Sequence, residues 1–272
     1  MMENTGSQLP QQKGKILMKP SFLNSDKPFL MSMIQEETML AAMHTITNSL
    51  YDGADSFGIQ LENLLPEHRT PSALRNIFAA CQKRPIYITA GPAWNCKDES
   101  DDALAELLLL GAECGATLCD IRADSFCSDP NQITYDEVAV SKQKDLADKI
   151  HALGREVVFS SHLPRFFNEE EVLTIAKAQR ERGADIIKIV NRSGSEEEEL
   201  ANLNIIHRLK KELDCKFIYL ASGSHTKLVR QMGPALGACA YLCVQNFALP
   251  AHNLYQPKLS AARAIRDALL LS

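Results

Sequence analysis

Eight short β-rich runs, each followed by a segment of helical periodicity, predict a (β/α)8 barrel for this 272-residue chain. Two further observations support that fold class. Folds of this type often reach about 250 residues as one unit, so the length needs no second domain. The predicted helices also carry their own start and stop signals. The runs, in order, are Phe29 to Ile34, Gly58 to Leu61, Ile86 to Ala90, Thr117 to Ile121, Glu156 to Ser160, Ile186 to Val190, Phe217 to Ala221 and Ala240 to Val244.

Residues 1–14 are a polar tail, and residues 15–272 read as one barrel domain with no linker. In residues 15–28, Asn24-Ser25-Asp26 predicts a turn between two short strands, an N-terminal β-hairpin that plugs the barrel end opposite the site. Between strands, Asn168 before Glu169, Glu170 and Glu171 predicts a capped helix start, as does Ser195 before its run of four glutamates. There a side-chain oxygen receives free N–H groups and carboxylates favour the positive end of the helix dipole. Gly53-Ala54, Gly115-Ala116 and Gly183-Ala184 predict left-handed helix ends before the chain re-enters the sheet.

Composition narrows the partners. With 29 Lys+Arg against 34 Asp+Glu, the net charge of −5 lacks the basic excess that phosphate neutralisation requires, which argues against nucleic acid. No run of about 18 uncharged apolar residues predicts a membrane span. No two of the eight cysteines stand at C-x-x-C spacing, and the seven histidines form no local ligand motif, so no metal or cofactor is expected. The thiols fit reduced, buried cysteines of a cytoplasmic protein.

Two residues carry the predicted chemistry. Lys188 lies in ADIIKIVNRSGS, where Ile187 and Ile189 take one face of a strand and Lys188 the other, which in a closed barrel is the interior. Desolvation there disfavours the ammonium and favours a neutral amine able to attack a carbonyl and form a Schiff base. His162 ends the preceding run, EVVFSSH, at the rim where barrel enzymes assemble their sites. An imidazole can remove a proton α to an iminium and return it to a departing hydroxyl. His225 and His252 fall on other rim loops.

The segments VVFSSH, ADIIKIV and SGSHTKLVRQMGPALG resemble type I 3-dehydroquinate dehydratases, and the likeness in order and spacing extends over nearly the whole chain. The resemblance implies a homodimeric (β/α)8 lyase of the shikimate or quinate pathway. In it, Lys188 forms the imine, His162 moves the protons and Arg230 pairs with the carboxylate of an anionic keto acid. Other positions depart from the family. Gln60 and Glu62 stand where it has Glu and Arg, Gly91 replaces an Arg, and Arg122 replaces a Glu in Asp120-Ile121-Arg122. Ala248 and His252 stand where the lid has Ser and Gln, and Asn95 is nearest to the Glu that orients the histidine, with Asp98 or Glu99 as alternatives. The double sign change leads to an expected Glu62–Arg122 ion pair. The altered hydroxyl-reading groups leave open a different keto-acid substrate or a non-catalytic, ligand-binding homologue.

Overall fold

A computed structural model describes residues 19–247 and 255–270. The strands are β1 (Phe29–Ile34), β2 (Ser56–Gln60), β3 (Ile86–Thr89), β4 (Leu118–Arg122), β5 (Glu156–His162), β6 (Ile186–Arg192), β7 (Lys216–Ser222) and β8 (Ala240–Cys243). The helices between and after them are α1 (Met39–Asp52), α2 (Pro71–Ala80), α3 (Asp101–Cys114), α4 (Glu137–Ala152), α5 (Glu169–Glu181), α6 (Glu196–Glu212), α7 (Lys227–Leu236) and α8 (Leu259–Leu270). All strand pairs are parallel, in the order β7-β6-β5-β4-β3-β2-β1-β8. At the β7/β8 seam the Cys239 amide donates to the Phe217 carbonyl at 2.8 Å. The sheet is thus a nearly closed (β/α)8 barrel, as expected.

The period-2 pattern sorts side chains into two cores. Ile187, Ile189, Val157 and Phe159 pack outward between sheet and helices, whereas Ile186, Val190, Val158 and Leu118 face the barrel interior. Every predicted run has its strand, and β5 and β6 each continue by two residues, to His162 and Arg192. The extension of β5 carries His162 onto the barrel mouth. The punctuation also holds. Asn168 and Glu171 close a reciprocal capping box, Ser195 accepts from the Glu198 amide, and Gly53 ends α1 at φ +95.

The floor differs in detail from the expected hairpin. Residues 15–18 lie outside the described residues, and residues 19–28 form bends without a strand, with Ser25 Oγ donating to the Lys27 carbonyl at the expected turn. The segment is held by Glu156, which accepts from the Phe22 amide at 3.0 Å and from Ser21 Oγ. The plugging role is performed by one side chain: Phe22 is fully buried, joins the interior core, and packs edge-on against Phe29 at 5.0 Å. Among the described residues no helix is long and apolar enough to cross a membrane.

Emptying the floor leaves a cavity that a closed barrel cannot collapse into. Phe22→Ala is expected to cost about 3–5 kcal/mol in urea unfolding with the slope unchanged; a loss below about 1 kcal/mol would show that Phe22 does not close the barrel.

Candidate active site

The strand register gathers the site. Lys188 of β6 lies opposite Ser160 of β5, Ser160 opposite Arg122 of β4, Asp120 opposite Thr89 of β3, and Thr89 opposite Gln60 of β2. All these positions have interior parity. Together with Glu62, Ala90, Gly91 and His162 they line one cavity of about 100 Å³ at the barrel mouth. Five predicted site residues, Lys188, His162, Gln60, Glu62 and Arg122, therefore share one wall-to-wall space. His252 lies outside the described residues.

Lys188 is buried, and its Nζ sits 3.0 Å from Asp120 Oδ2 and donates to the Tyr87 hydroxyl at 2.7 Å. Tyr87 in turn donates to Asp120 Oδ2. Burial, followed by the Asp120 charge, pushes the Tyr87 phenol well above its ordinary value, so it remains a neutral bridge. The expected lysine desolvated among apolar groups is thus corrected to a lysine whose charge has a buried carboxylate partner. A buried cation without one would be strongly destabilising.

His162 lines the same cavity. Its backbone N–H donates to Gln132 Oε1 at 2.9 Å, and its ring Nδ1 lies 3.1 Å from the same oxygen. Loss of hydration in the mouth, then repulsion from Lys188, with further contributions from Arg230 and Arg122, lowers the imidazole pKa. The ring still reaches solvent, and the three cations give the same sign without burial. Asn95 does not meet His162: it lies in a 3-10 turn and donates to the Asn63 carbonyl at 2.7 Å.

Glu62 is buried and accepts from Thr89 Oγ1 at 2.9 Å through both carboxylate oxygens, with Gln60 Nε2 at 3.4 Å. Gln60 also accepts from Gln35 Nε2. Desolvation raises the Glu62 carboxyl to about 7. The expected Glu62–Arg122 pair does not form. Arg122 is held by Asp101 at 3.2 Å and Asp124 at 3.3 Å, and among the described residues Glu62 makes no ion pair. The reason is topological. β3 separates β2 from β4, while the start of α3 and the loop after β4 bring two carboxylates to Arg122 from its own side.

Arg230, on the first turn of α7, is 7 % exposed and lies outside the walls of the cavity. Its Nε donates to the Ala221 carbonyl at 2.7 Å, and Nη1 is buried without a hydrogen-bond partner among the described residues. Burial lowers its pKa to about 10, which leaves it cationic near neutrality. Among the described residues it has no carboxylate partner, which makes it the site's uncommitted buried cation. His225 bonds through Nδ1 to Ser224 at 3.0 Å and does not line the cavity. Sequence reasoning missed Tyr87 and Gln132. Tyr87 could have been found from its even spacing with Thr89 on β3; Gln132 stands in an irregular loop that carries no periodic signal.

The chain is thus a parallel (β/α)8 barrel with a buried lysine and a histidine on adjacent strands at one cavity of its C-terminal mouth. The type I 3-dehydroquinase family model matches residues 34–270, and the chain belongs to that family. Solved structures show the same fold. The 3-dehydroquinate dehydratase of Geobacillus kaustophilus is 16% identical, with 92% of this chain and 93% of that one covered and a TM-score of 0.77. The type I enzyme of Clostridium difficile, solved with covalently modified comenic acid, is 14% identical over 91% and 94%, with a TM-score of 0.74. That of Enterococcus faecalis is 14% identical over 92% and 98%, with a TM-score of 0.72. No curated protein sequence matches.

Glu62 generates a pH prediction. An acid whose folded-state pKa is raised from 4.5 to about 7 favours unfolding increasingly as pH rises through that window. Glu62→Gln removes the titration. Relative to wild type, the variant should gain about 3 kcal/mol in unfolding free energy between pH 4 and pH 8. A difference independent of pH would show that Glu62 ionises normally.

Proposed function

We propose that the chain is a Schiff-base-forming lyase acting on 3-dehydroquinate or a close cyclic keto acid. The observation that carries this reading is the buried Lys188 amine at 3.0 Å from Asp120, in one cavity with His162. The Lys188 amine attacks the ketone and water leaves, giving a protonated imine. His162 takes the α-proton, the electron pair moves into the iminium to form an enamine, and the β-hydroxyl departs with a proton from His162. Hydrolysis then releases the enone and regenerates the lysine. Arg230 pairs with the carboxylate, to which its unpartnered Nη1 is suited. Gln60, Glu62 and Arg122 contact the ring, as would His252 on the loop after β8. A homodimer working in the cytoplasm is the family-based expectation for the assembly, and the free cysteines agree with that compartment.

A second reading keeps the imine and changes the substrate. It is favoured by the β2–β3 wall, where Gln60, Glu62, Thr89 and Gly91 offer a carboxyl, an amide and a hydroxyl but no guanidinium. Arg122, which lines the same cavity from β4, is already committed to two carboxylates. Such a wall suits hydrogen-bond donors on the ligand, and a changed donor pattern alters selectivity by large factors.

One experiment separates the readings. Incubation with 3-dehydroquinate and borohydride should leave a reduced adduct on Lys188, visible by mass spectrometry and absent in Lys188→Ala, with 3-dehydroshikimate formed when borohydride is omitted. An adduct without product, or one only with comenic acid or other keto acids, supports the second reading. No adduct with any of them would remove both. His162→Ala should retain the adduct and lose turnover by at least about 100-fold; a wild-type rate would reject its acid/base role.

A further inference from the structure

Gln132 makes two contacts that together determine the protonation pattern of His162. The backbone N–H of His162 can only donate, so the Gln132 atom 2.9 Å away is the amide oxygen and not the amide nitrogen. That same oxygen is 3.1 Å from ring Nδ1. An oxygen facing a ring nitrogen requires the proton on that nitrogen. The neutral imidazole therefore carries its hydrogen on Nδ1, and Nε2 keeps the lone pair. Among the described residues Nε2 has no hydrogen-bond partner, which leaves it as the nitrogen available to the cavity.

The support behind Gln132 is as specific as the contact. Gln132 has φ +50, a left-handed conformation that a side chain disfavours, and it is held there from both ends. Its N–H donates to the Asp129 carbonyl at 2.9 Å, and its carbonyl accepts from Ser161 Oγ at 2.7 Å. Ser161 Oγ accepts in turn from Gln179 Nε2 at 2.9 Å, and that amide also reaches the Lys188 carbonyl at 3.4 Å. Arg182, buried on the far side, donates to the Ala123 and Thr134 carbonyls and brackets the loop at both ends. One chain of hydrogen bonds thus runs from the backbone of the lysine strand to the partner of the histidine ring.

We propose that Gln132 is a positioning residue that locks neutral His162 in its Nδ1–H tautomer and thereby makes Nε2 the proton-moving atom. The catalytic use of Nε2 rests on the reading of His162 as the acid/base; the tautomer does not, and it is measurable without a substrate. The charged groups around the ring, Lys188 of β6, Asp120 and Arg122 of β4, and Arg230 of α7, are common to wild type and variants.

The test is nitrogen–carbon correlation NMR on the full chain labelled with isotopic histidine, with His162 assigned by its loss in His162→Ala. Wild type should show the Nδ1–H pattern at neutral pH. Gln132→Gly removes the amide while suiting the left-handed backbone, so it should fold and release the ring towards the Nε2–H form that a solvated histidine favours. Gln132→Glu keeps the acceptor and adds a negative charge. It should retain the Nδ1–H pattern and raise the His162 titration midpoint by about one unit, a tenfold shift in proton affinity. In turnover of whichever keto acid the borohydride trap identifies, Gln132→Gly should lower kcat at least about tenfold with KM nearly unchanged. An Nε2–H pattern in wild type, or a tautomer and midpoint unmoved in both variants, would overturn the proposal. Failure of turnover with every keto acid tested, alongside the expected tautomer shifts, would overturn the lyase reading and leave the role of Gln132 standing.

Discussion

The charge on Lys188 is the constraint around which the upper half of the barrel is arranged. An ammonium in the interior of a parallel barrel is tolerable only with a close, hydrogen-bonded counter-charge. That counter-charge cannot come from a flexible loop, because the amine lies below the rim. It comes from Asp120, two strands away, with the Tyr87 hydroxyl as the third member. Three strands must therefore keep their mutual register. A one-residue slip of β6 would turn Lys188 outward into the layer of Ile187 and Ile189 and leave Asp120 buried without its partner. The apolar interior layer beneath, from Leu118, Val158 and Ile186 down to Phe22, supplies the rigidity that holds the triad at hydrogen-bonding distance.

Above that layer the mouth is electrically divided. Lys188, His162 and Arg230 come from β6, β5 and α7, while Glu62, Gln60 and Thr89 come from β2 and β3. Arg122 stands between the halves, paired with Asp101 and Asp124, and adds to the positive field at His162. The cationic half suits the carboxylate and the developing imine. The opposite half is made of acceptors and a carboxyl that is near half-protonated at neutral pH. In the proposed reaction the anionic end of the ligand would meet the cationic half and its hydroxyl-bearing end the acceptors, with the carbonyl towards Lys188. On that proposal, selectivity between related keto acids rests on the β2–β3 wall and not on the lysine.

The barrel was legible in the sequence because parallel strands that face a core on both sides cannot hide their apolar runs, and the helix caps at Asn168 and Ser195 marked the intervening turns. That Lys188 and His162 meet at one cavity was legible for a related reason: period-2 alternation puts Lys188 opposite the face of Ile187 and Ile189, and His162 ends the adjacent strand. The partners of these residues were not. Arg122 meets Asp101 and Asp124 and not Glu62 because the start of α3 and the loop after β4 reach it while β3 stands between β4 and β2, a placement of loops and helix starts that strand patterns do not encode. The floor was read correctly as a plug and incorrectly as a hairpin in its described part, because the apolar residue that does the plugging, Phe22, needs no strand to reach the interior. Gln132 was invisible because its action depends on a left-handed backbone at a non-glycine residue, which local sequence argues against.

The pairing that stabilises the resting protein also solves the first chemical problem of the proposed reaction. Lys188 can attack a ketone only after losing a proton, and expelling that proton to water would leave Asp120 as an unpaired buried anion. Transfer across the 3.0 Å contact to Asp120 instead removes both charges at once. Asp120 Oδ1, buried and without a hydrogen-bond partner among the described residues, gives the neutral acid a place to carry the proton. When the carbinolamine then loses its hydroxyl, the departing water takes up that proton. The nitrogen becomes a cation again as an iminium, and Asp120 is once more the anion beside it. The interior begins and ends the step with the same pair of opposite charges, so imine formation never requires an isolated charge in the barrel. His162, whose pKa is lowered by desolvation and then by the neighbouring cations, is left free to act as a base on the α-carbon that the iminium has acidified.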